Sequence, residues 1–324
     1  LSDGISFILD RCYVLNIVLI NVQSMMESVL FDLKSKMNHL TQSIHFIKCP
    51  VNRQHLSRLF QLRKCIITTK NGTTKHVLQQ PLFNHIYFTN CQQLKDLDVT
   101  PMYENSSNST TEHRRPTRSL ICSELTTLNV SNTLLSDTSM ISILNKSSKL
   151  RELNCNHMKN ITINTLLLVL RTNPWIKILK FMNCEKCLVT NQFCKFLMAS
   201  ECRNVLTTLW LHGIQRGHLS EEELPRKKVG KKVGKKVILP LPQSVFLHLP
   251  FLKHFKLCSC EYLNDCTVMN LVNGCSHTLE TITLKTKCYQ LTSKSIHHIF
   301  FKCAKLIQFD LGHATGVSFE KIKI

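Results

Sequence analysis

Cysteine is the residue type in this sequence that could most readily do chemistry, and the chain of 324 residues contains sixteen of them. The most suggestive spacing is Cys184-x-x-Cys187, which is followed by Cys194 and Cys202. Four thiolates at such spacings can hold a structural zinc ion. Free cysteine is also often buried as a small apolar side chain, and Cys184, Cys194 and Cys202 fall at positions of a repeat that explain them in that way. We therefore expect no bound metal.

Patterns that would indicate catalysis are incomplete in this sequence. The run Gly230-Lys-Lys-Val-Gly234-Lys235 is one residue too short for a phosphate-binding loop, and no Ser or Thr follows its lysine. The fifteen histidines include no His-Glu-x-x-His pair, and there is no Gly-x-Ser-x-Gly elbow. We expect a chain that is not an enzyme and that has no catalytic residue and no cofactor.

Most of the cysteines belong to a repeated pattern, L-x-x-L-x-L-x-x-C, whose last position also takes other small residues. Its clear copies begin at Leu125, Leu150, Ile176, Leu206, Leu252, Leu279 and Leu306. Successive starts are 25 to 30 residues apart, except for one step of 46 residues that contains an insertion. One such repeat cannot bury its own apolar face, so stacked repeats must share a continuous core.

The segments between these copies are typical of helices. Ser136-Asp137, Asn264-Asp265 and Thr292-Ser293 each precede apolar residues at i, i+3 and i+4 spacing, which is how a capped amphipathic helix begins. Gly274 is expected to end one of these helices in a left-handed conformation. The predicted fold is an α/β leucine-rich-repeat solenoid, a horseshoe with parallel strands on its concave face and helices on its convex face.

The first third of the chain follows the repeat less clearly. Leu40 to Cys49 matches with one extra residue, and Leu15, Val18 and Ile20 form a copy 25 residues earlier. Other candidate copies are Leu62, Cys65, Ile67; Phe83, Ile86, Phe88; and Leu94, Leu97, Val99. The last two start only 11 residues apart, so both cannot head full repeats. We expect residues 1–324 to form a single solenoid with a polar loop at 103–119 and a basic loop at 215–244.

The basic loop carries much of the charge that stands out in the composition. Its seven cationic residues are Arg226, Lys227, Lys228, Lys231, Lys232, Lys235 and Lys236. They predict a nuclear-import signal or a polyanion-binding tract; the alternatives are a merely solvated loop or a translated intron. Removing these seven charges from the formal net charge of +20 still leaves +13, which favours acidic partners and, as a lesser alternative, nucleic acid.

The location of the protein is also indicated by the sequence. No secretory signal pattern precedes the repeats, and the apolar stretch from Val14 to Val22 is too short to span a bilayer. Cysteines spread from Cys12 to Cys303 fit a reducing compartment. We expect a cytoplasmic or nuclear protein without a membrane contact.

Two repeat units, residues 263–284 and 291–311, each combine a capped helix, a cysteine after it and the L-x-x-L-x-L strand; residues 1–12 show the same helix and cysteine. These units resemble the cysteine-containing repeats of F-box/leucine-rich-repeat proteins, the substrate receptors of cullin-based ubiquitin ligases. The resemblance implies recognition of a protein substrate. No F-box is found, because the run Leu239-Pro240-Leu241-Pro242 lies inside the array; the ligase role therefore needs an F-box upstream of Leu1. The alternatives are a non-ligase adaptor or regulator and, third, an RNA-associated scaffold.

The exposed strand residues of a solenoid form its binding surface. The partner-binding candidates on the concave face are Lys180, Met182, Trp210, His212, His254, Lys256 and Lys285. Trp210 points outward between two inward leucines, and tryptophan is enriched in binding hot spots. Its basic neighbours predict a partner with an acidic or phosphorylated segment. The alternative is that the adjacent basic loop simply covers Trp210.

Overall fold

The computed structural model describes residues 16–22, 42–60, 63–68, 74–79, 83–102, 122–187, 191–213, 249–259, 263–285 and 291–312. The chain divides into two compact units, Leu1–Lys186 and Cys187–Ile324. In each unit the described strands of the main sheet are parallel, and described helices lie between several of them along the chain.

The described residues of the first unit form six parallel strands and one separate hairpin. The strands of the parallel sheet are β1 (Asn16–Ile20), β2 (Ser43–Ile47), β5 (His85–Thr89), β6 (Thr127–Asn129), β7 (Glu152–Asn154) and β8 (Ile178–Lys180). The hairpin is formed by β3 (Arg63–Thr68) and β4 (Thr74–Gln79), which pair antiparallel. The parallel strands lie side by side in chain order, so each repeat adds one strand beside the strand before it.

The core of the first unit is built by alternate strand residues and by three helices. Strand pairing aligns one inward row, consisting of Ile17, Ile44, Ile86, Leu128, Leu153 and Leu179, and all six side chains are buried. The helices are α1 (Arg53–Phe60), α2 (Asp137–Leu144) and α3 (Ile163–Thr172). Each buries a stripe of apolar residues, such as Met140 and Ile143 of α2. Complete burial of one such side chain contributes about 1.5–3 kcal/mol.

The predicted register of β1 is wrong by one residue. Val18 and Ile20 were expected to point inward, but they are 50% and 62% exposed, whereas Ile17 and Leu19 are buried. Nearly every residue in this strand is apolar, so its two faces look alike in the sequence. Pairing of Ile17 with Ile44 of β2 decides which face enters the core, and a slip of one residue exchanges the two faces.

Two ambiguous copies of the repeat are also resolved by strand pairing. The interpretation of Leu62, Cys65 and Ile67 as a degenerate copy of the repeat is wrong, because residues 63–68 form the antiparallel strand β3. Of the two competing registers that follow, the one headed by Phe83 is confirmed, since Ser43 of β2 pairs with His85 of β5. Leu97, from the other register, is 71% exposed in the 3-10 helix Asp96–Asp98.

In the second unit, the residues with a described structure follow the same plan and form four parallel strands. These are β9 (Thr208–His212), β10 (His254–Cys258), β11 (Thr281–Lys285) and β12 (Gln308–Leu311). The helices are α4 (Asn191–Ala199), α5 (Asp265–Cys275) and α6 (Ser293–Lys302). Leu209, Phe255 and Ile282 form a buried inward row.

The predicted helix starts are confirmed, but one predicted helix end is wrong. Ser136, Asn264 and Thr292 cap α2, α5 and α6, each accepting a hydrogen bond from a backbone N–H of the first turn. Helix α5 does not stop at Gly274. It continues to Cys275, and the described Gly274 does not take the left-handed conformation. The Cys275 side chain is buried, and its thiol donates to the carbonyl of Leu271, 3.1 Å away.

An aspartate near the start of one helical segment fixes the cap of the next helix. Thr162, the cap of α3, donates its backbone N–H and its hydroxyl to Asp137 at 2.8 and 2.5 Å. Thr165 donates its hydroxyl to the same carboxylate at 2.6 Å. Asp96 accepts the same pair of bonds from Ser136, and Asp265 accepts them from Thr292. These bonds couple neighbouring repeats at their helix starts.

The two predicted insertions, 103–119 and 215–244, and the basic tract within the second lie outside the described residues. No helix in the described part of the chain is long and apolar enough to cross a membrane.

Removal of the Asp137 carboxylate should destabilise the first unit. Asp137→Ala deletes the three acceptor contacts with Thr162 and Thr165, and we expect a loss of about 1–3 kcal/mol in the free energy of unfolding. Denaturant titration followed by circular dichroism measures this loss. Thr138→Ala, which changes an exposed neighbour on α2, is the control; an equal effect of both substitutions would contradict the role of the carboxylate.

Candidate functional site

The cysteines that follow the strands bind main-chain oxygens. The thiol of Cys49 donates to the carbonyl of Leu19 at 3.3 Å, Cys91 donates to Phe46 at 3.3 Å, and Cys184 donates to Cys155 at 2.9 Å. In each pair the acceptor belongs to the preceding repeat. A thiol is a weak donor, but here it satisfies a carbonyl that is buried at the end of a strand, so these cysteines have a structural role.

Burial holds the thiols of Cys91, Cys194 and Cys202 in their protonated form at neutral pH. It raises the pKa of Cys91 to about 11 and that of Cys194 to about 12, and it also raises the pKa of Cys202. A cysteine side chain binds a metal ion in its thiolate form. Across the described residues, no group of three or more His, Cys, Asp or Glu side chains is placed to hold a metal ion.

The accessibility of the thiols gives a direct test of this structural role. Among the twelve cysteines whose side-chain burial the structure describes, only Cys266 is not buried. We expect iodoacetamide at pH 8 to alkylate Cys266 before any of the other eleven, because reaction requires an accessible thiolate. Mass spectrometry of tryptic peptides over a time course measures the order. Early labelling of Cys184 or Cys194 would contradict it.

The outward residues of the first unit form rows across the sheet face that is opposite the helices, which we call the open face. The pairing aligns a central row, consisting of Val18, His45, Tyr87, Asn129, Asn154 and Lys180. Within it, the rings of His45 and Tyr87 stack with centroids 3.8 Å apart and an interplanar angle of 18°. Val18, His45 and Tyr87 were not among the surface residues predicted from the sequence. The alternation of His45 with the core residues Ile44 and Phe46 was the available signal.

The aromatic part of this row is uncharged at neutral pH. Burial, with a smaller effect of nearby His85, lowers the pKa of His45 below its usual 6.5. Burial also raises the pKa of Tyr87, and the charge of Glu152 raises it further. The imidazole and the phenol that form the stack are therefore both neutral.

Two predicted binding residues lie in the first unit. Lys180 is half-buried at the end of the central row, and burial lowers the pKa of its ammonium group. Met182 differs from the prediction, because its side chain is only 6% exposed. Strand β8 ends at Lys180, so Met182 lies in the turn that follows, where its backbone N–H donates to Asn156 and its side chain no longer follows the alternation of the strand.

Trp210 lies in the central row of the open face in the second unit, on its first strand, β9. Pairing aligns it with Lys256, Thr283 and Asp310. The Nζ atom of Lys256 lies 5.1 Å from the centroid of the Trp210 ring, a cation–π contact worth about 0.5–2 kcal/mol. Trp210 is half-buried. The alternative to a binding role was that the basic loop covers Trp210, and this loop lies outside the described residues.

The side chains around Trp210 are less uniformly basic than the sequence predicts. Lys285 lies 3.5 Å from Asp310, and Lys253 lies 2.8 Å from Glu280. His254 bonds to Thr281 and approaches Glu280 at 4.0 Å. His212 is half-buried and is aligned with Cys258 and Lys285. Among the residues that the structure describes, Lys256 has no carboxylate within ion-pair distance.

Comparison with known proteins bears on the fold. No protein-family description and no curated protein matches the sequence. A chain in the crystal structure of the Rad7–Elc1 complex from yeast superimposes with a TM-score of 0.63 at 15% identity, covering 98% of this chain and 68% of that one. This likeness concerns the fold alone. With the parallel strands and alternating helices, it confirms an α/β leucine-rich-repeat solenoid.

Proposed function

We propose that this chain is a protein-binding repeat scaffold without catalytic activity, and that it recognises a protein substrate for a cullin-based ubiquitin ligase. The observation that carries the proposal is the open face of the second unit, where Trp210 and Lys256 lie together amid paired charges. An aromatic anchor surrounded by polar groups is the usual organisation of a protein-binding hot spot.

The charge of this surface indicates the kind of partner. Lys256 presents a cation whose described contacts include no carboxylate, and the chain carries a net charge of +20. An acidic or phosphorylated segment of a partner would neutralise Lys256 and cover the ring of Trp210 at the same time. The rim pair Lys285–Asp310 contributes less, since exposed ion pairs are screened by solvent.

The ligase role rests on the resemblance of the cysteine-containing repeats to those of F-box/leucine-rich-repeat proteins. The structural neighbour is also part of a protein complex, since it was crystallised as Rad7 with Elc1. Attachment to a cullin requires an F-box upstream of Leu1. Without one, the same open face would serve a non-ligase adaptor or regulator. An RNA-associated scaffold is the third alternative, favoured only by the net charge.

Disruption of the pair at Trp210 should weaken partner binding. Trp210→Ala with Lys256→Glu removes the aromatic anchor and reverses the charge, so we expect the affinity for a partner identified by crosslinking to fall about tenfold or more. The control is Phe301→Ala with Lys302→Glu, which changes a similar cation–aromatic pair on α6. Isothermal titration calorimetry measures both variants. Unchanged affinity of the Trp210 variant would refute this surface.

The half-life of the same partner distinguishes the ligase role from the adaptor role. If the protein is a substrate receptor, inhibition of cullin activation in cells will lengthen the half-life of the partner, and the Trp210 and Lys256 variant will do the same. If the partner is degraded at the same rate in untreated cells, in cells with inhibited cullin activation and in cells with the Trp210 and Lys256 variant, the protein is an adaptor.

We also propose that the protein acts in the cytoplasm and the nucleus, and that residues 226–236 promote import. Deletion of this basic tract should lower the nuclear fraction of a fluorescently tagged chain, because import receptors recognise clustered lysine and arginine. Deletion of the polar segment 103–113 is a control of matched length. An unchanged distribution would rule out an import signal and leave a solvated loop.

A further inference from the structure

The open face of the first unit carries aliphatic side chains where the later repeats carry polar ones. Val18 and Ile20 of β1 are 50% and 62% exposed, and Ile47 is half-buried beside Ile20. The position of Val18 is taken by Asn129 and Asn154 in later strands, and that of Ile20 and Ile47 by Thr89. The fold therefore tolerates polar residues here, so the aliphatic ones are not required by the core.

The aromatic stack extends this surface across two more strands. His45 pairs with Val18 on one side and with Tyr87 on the other, and the His45 and Tyr87 rings stack at 3.8 Å. Val18, Ile20, Ile47, His45 and Tyr87 together form what we call the apolar patch. Residues two apart on a strand lie about 7 Å apart and neighbouring strands about 4.8 Å apart, so the patch can accept two or three apolar side chains.

Polar groups at the border of the patch are hydrogen-bonded to one another. Ser43 donates its hydroxyl to Asn16 at 2.6 Å, and the Nδ1 atom of His85 lies 2.9 Å from the Thr127 hydroxyl oxygen. The five side chains of the patch include no lysine or arginine, and burial lowers the pKa of His45, so the patch itself offers no cation to an acidic segment at neutral pH. An uncharged apolar segment would lose no hydration of charged groups on binding here, and it would cover the exposed aliphatic carbons.

We propose that the apolar patch is a recognition subsite that binds two or three apolar side chains from an uncharged segment of a protein partner. This inference rests on the proposed protein-binding function and specifies a second class of contact. The patch in the first unit selects aliphatic or aromatic residues, whereas Trp210 and Lys256 in the second unit select negative charge. A partner of both surfaces would carry an apolar segment and an acidic segment.

A peptide library displayed on phage tests the subsite. The full chain and the variant Val18→Asn/Ile20→Thr are screened with random twelve-residue peptides; the substituted residues are those that later repeats carry at these positions, so the variant should keep its fold and melting temperature. The control variant is Leu97→Asn, which changes an exposed leucine on the 3-10 helix Asp96–Asp98. We expect peptides enriched in apolar residues on the unmodified chain, with affinity reduced about tenfold or more by Val18→Asn/Ile20→Thr and unchanged by Leu97→Asn.

Three results would overturn the subsite. These are enrichment of no apolar peptide on the unmodified chain, equal binding of the selected peptides by the Val18 and Ile20 variant, and self-association of the chain that this variant abolishes. The last would make a second copy the occupant. If binding of a crosslinked partner depends on Trp210 and Lys256 but not on Val18 and Ile20, the subsite fails and the proposed function stands. If it depends on neither pair, both fail.

Discussion

The structure depends on parallel strand pairing in register between successive repeats. Each pairing places one apolar residue beside its equivalent in the next repeat, as with Ile44 and Ile86 or Phe255 and Ile282. The same backbone bonds necessarily align the outward residues. A core made of aligned rows and a face made of aligned rows are therefore two consequences of one interaction, and a change of register at one strand would alter both.

Local polar contacts support this pairing at both ends of the repeat. At the ends of strands, thiols such as Cys49 and Cys184 donate to carbonyls of the preceding repeat. At the starts of helices, carboxylates such as Asp137 and Asp265 accept bonds from the cap of the next helix. Both kinds of contact satisfy groups that strand pairing and helix bonds leave open. The abundance of cysteine thus follows from the repeat, since a small side chain with a weak donor suits a buried strand end.

The open faces of the two units differ in chemistry although their backbones follow the same plan. In the first unit, the His45–Tyr87 stack and the neighbouring aliphatic residues form a neutral surface. In the second unit, cations and carboxylates alternate around Trp210, with Lys285 beside Asp310 and Lys253 beside Glu280. Because outward residues are not constrained by the core, they are free to differ between repeats, and they determine what each unit can bind.

The sequence by itself determined the repeat, the inward leucines from Leu125 onward, and the helix caps at Ser136, Asn264 and Thr292, because these depend on spacing within one short segment. It could not determine the face of β1, since residues on both faces are apolar. The contacts of His45 with Tyr87 and of Lys256 with Trp210 join residues more than forty positions apart. Such contacts depend on where each strand pairs after an intervening segment of unequal length, and only the tertiary structure decides that.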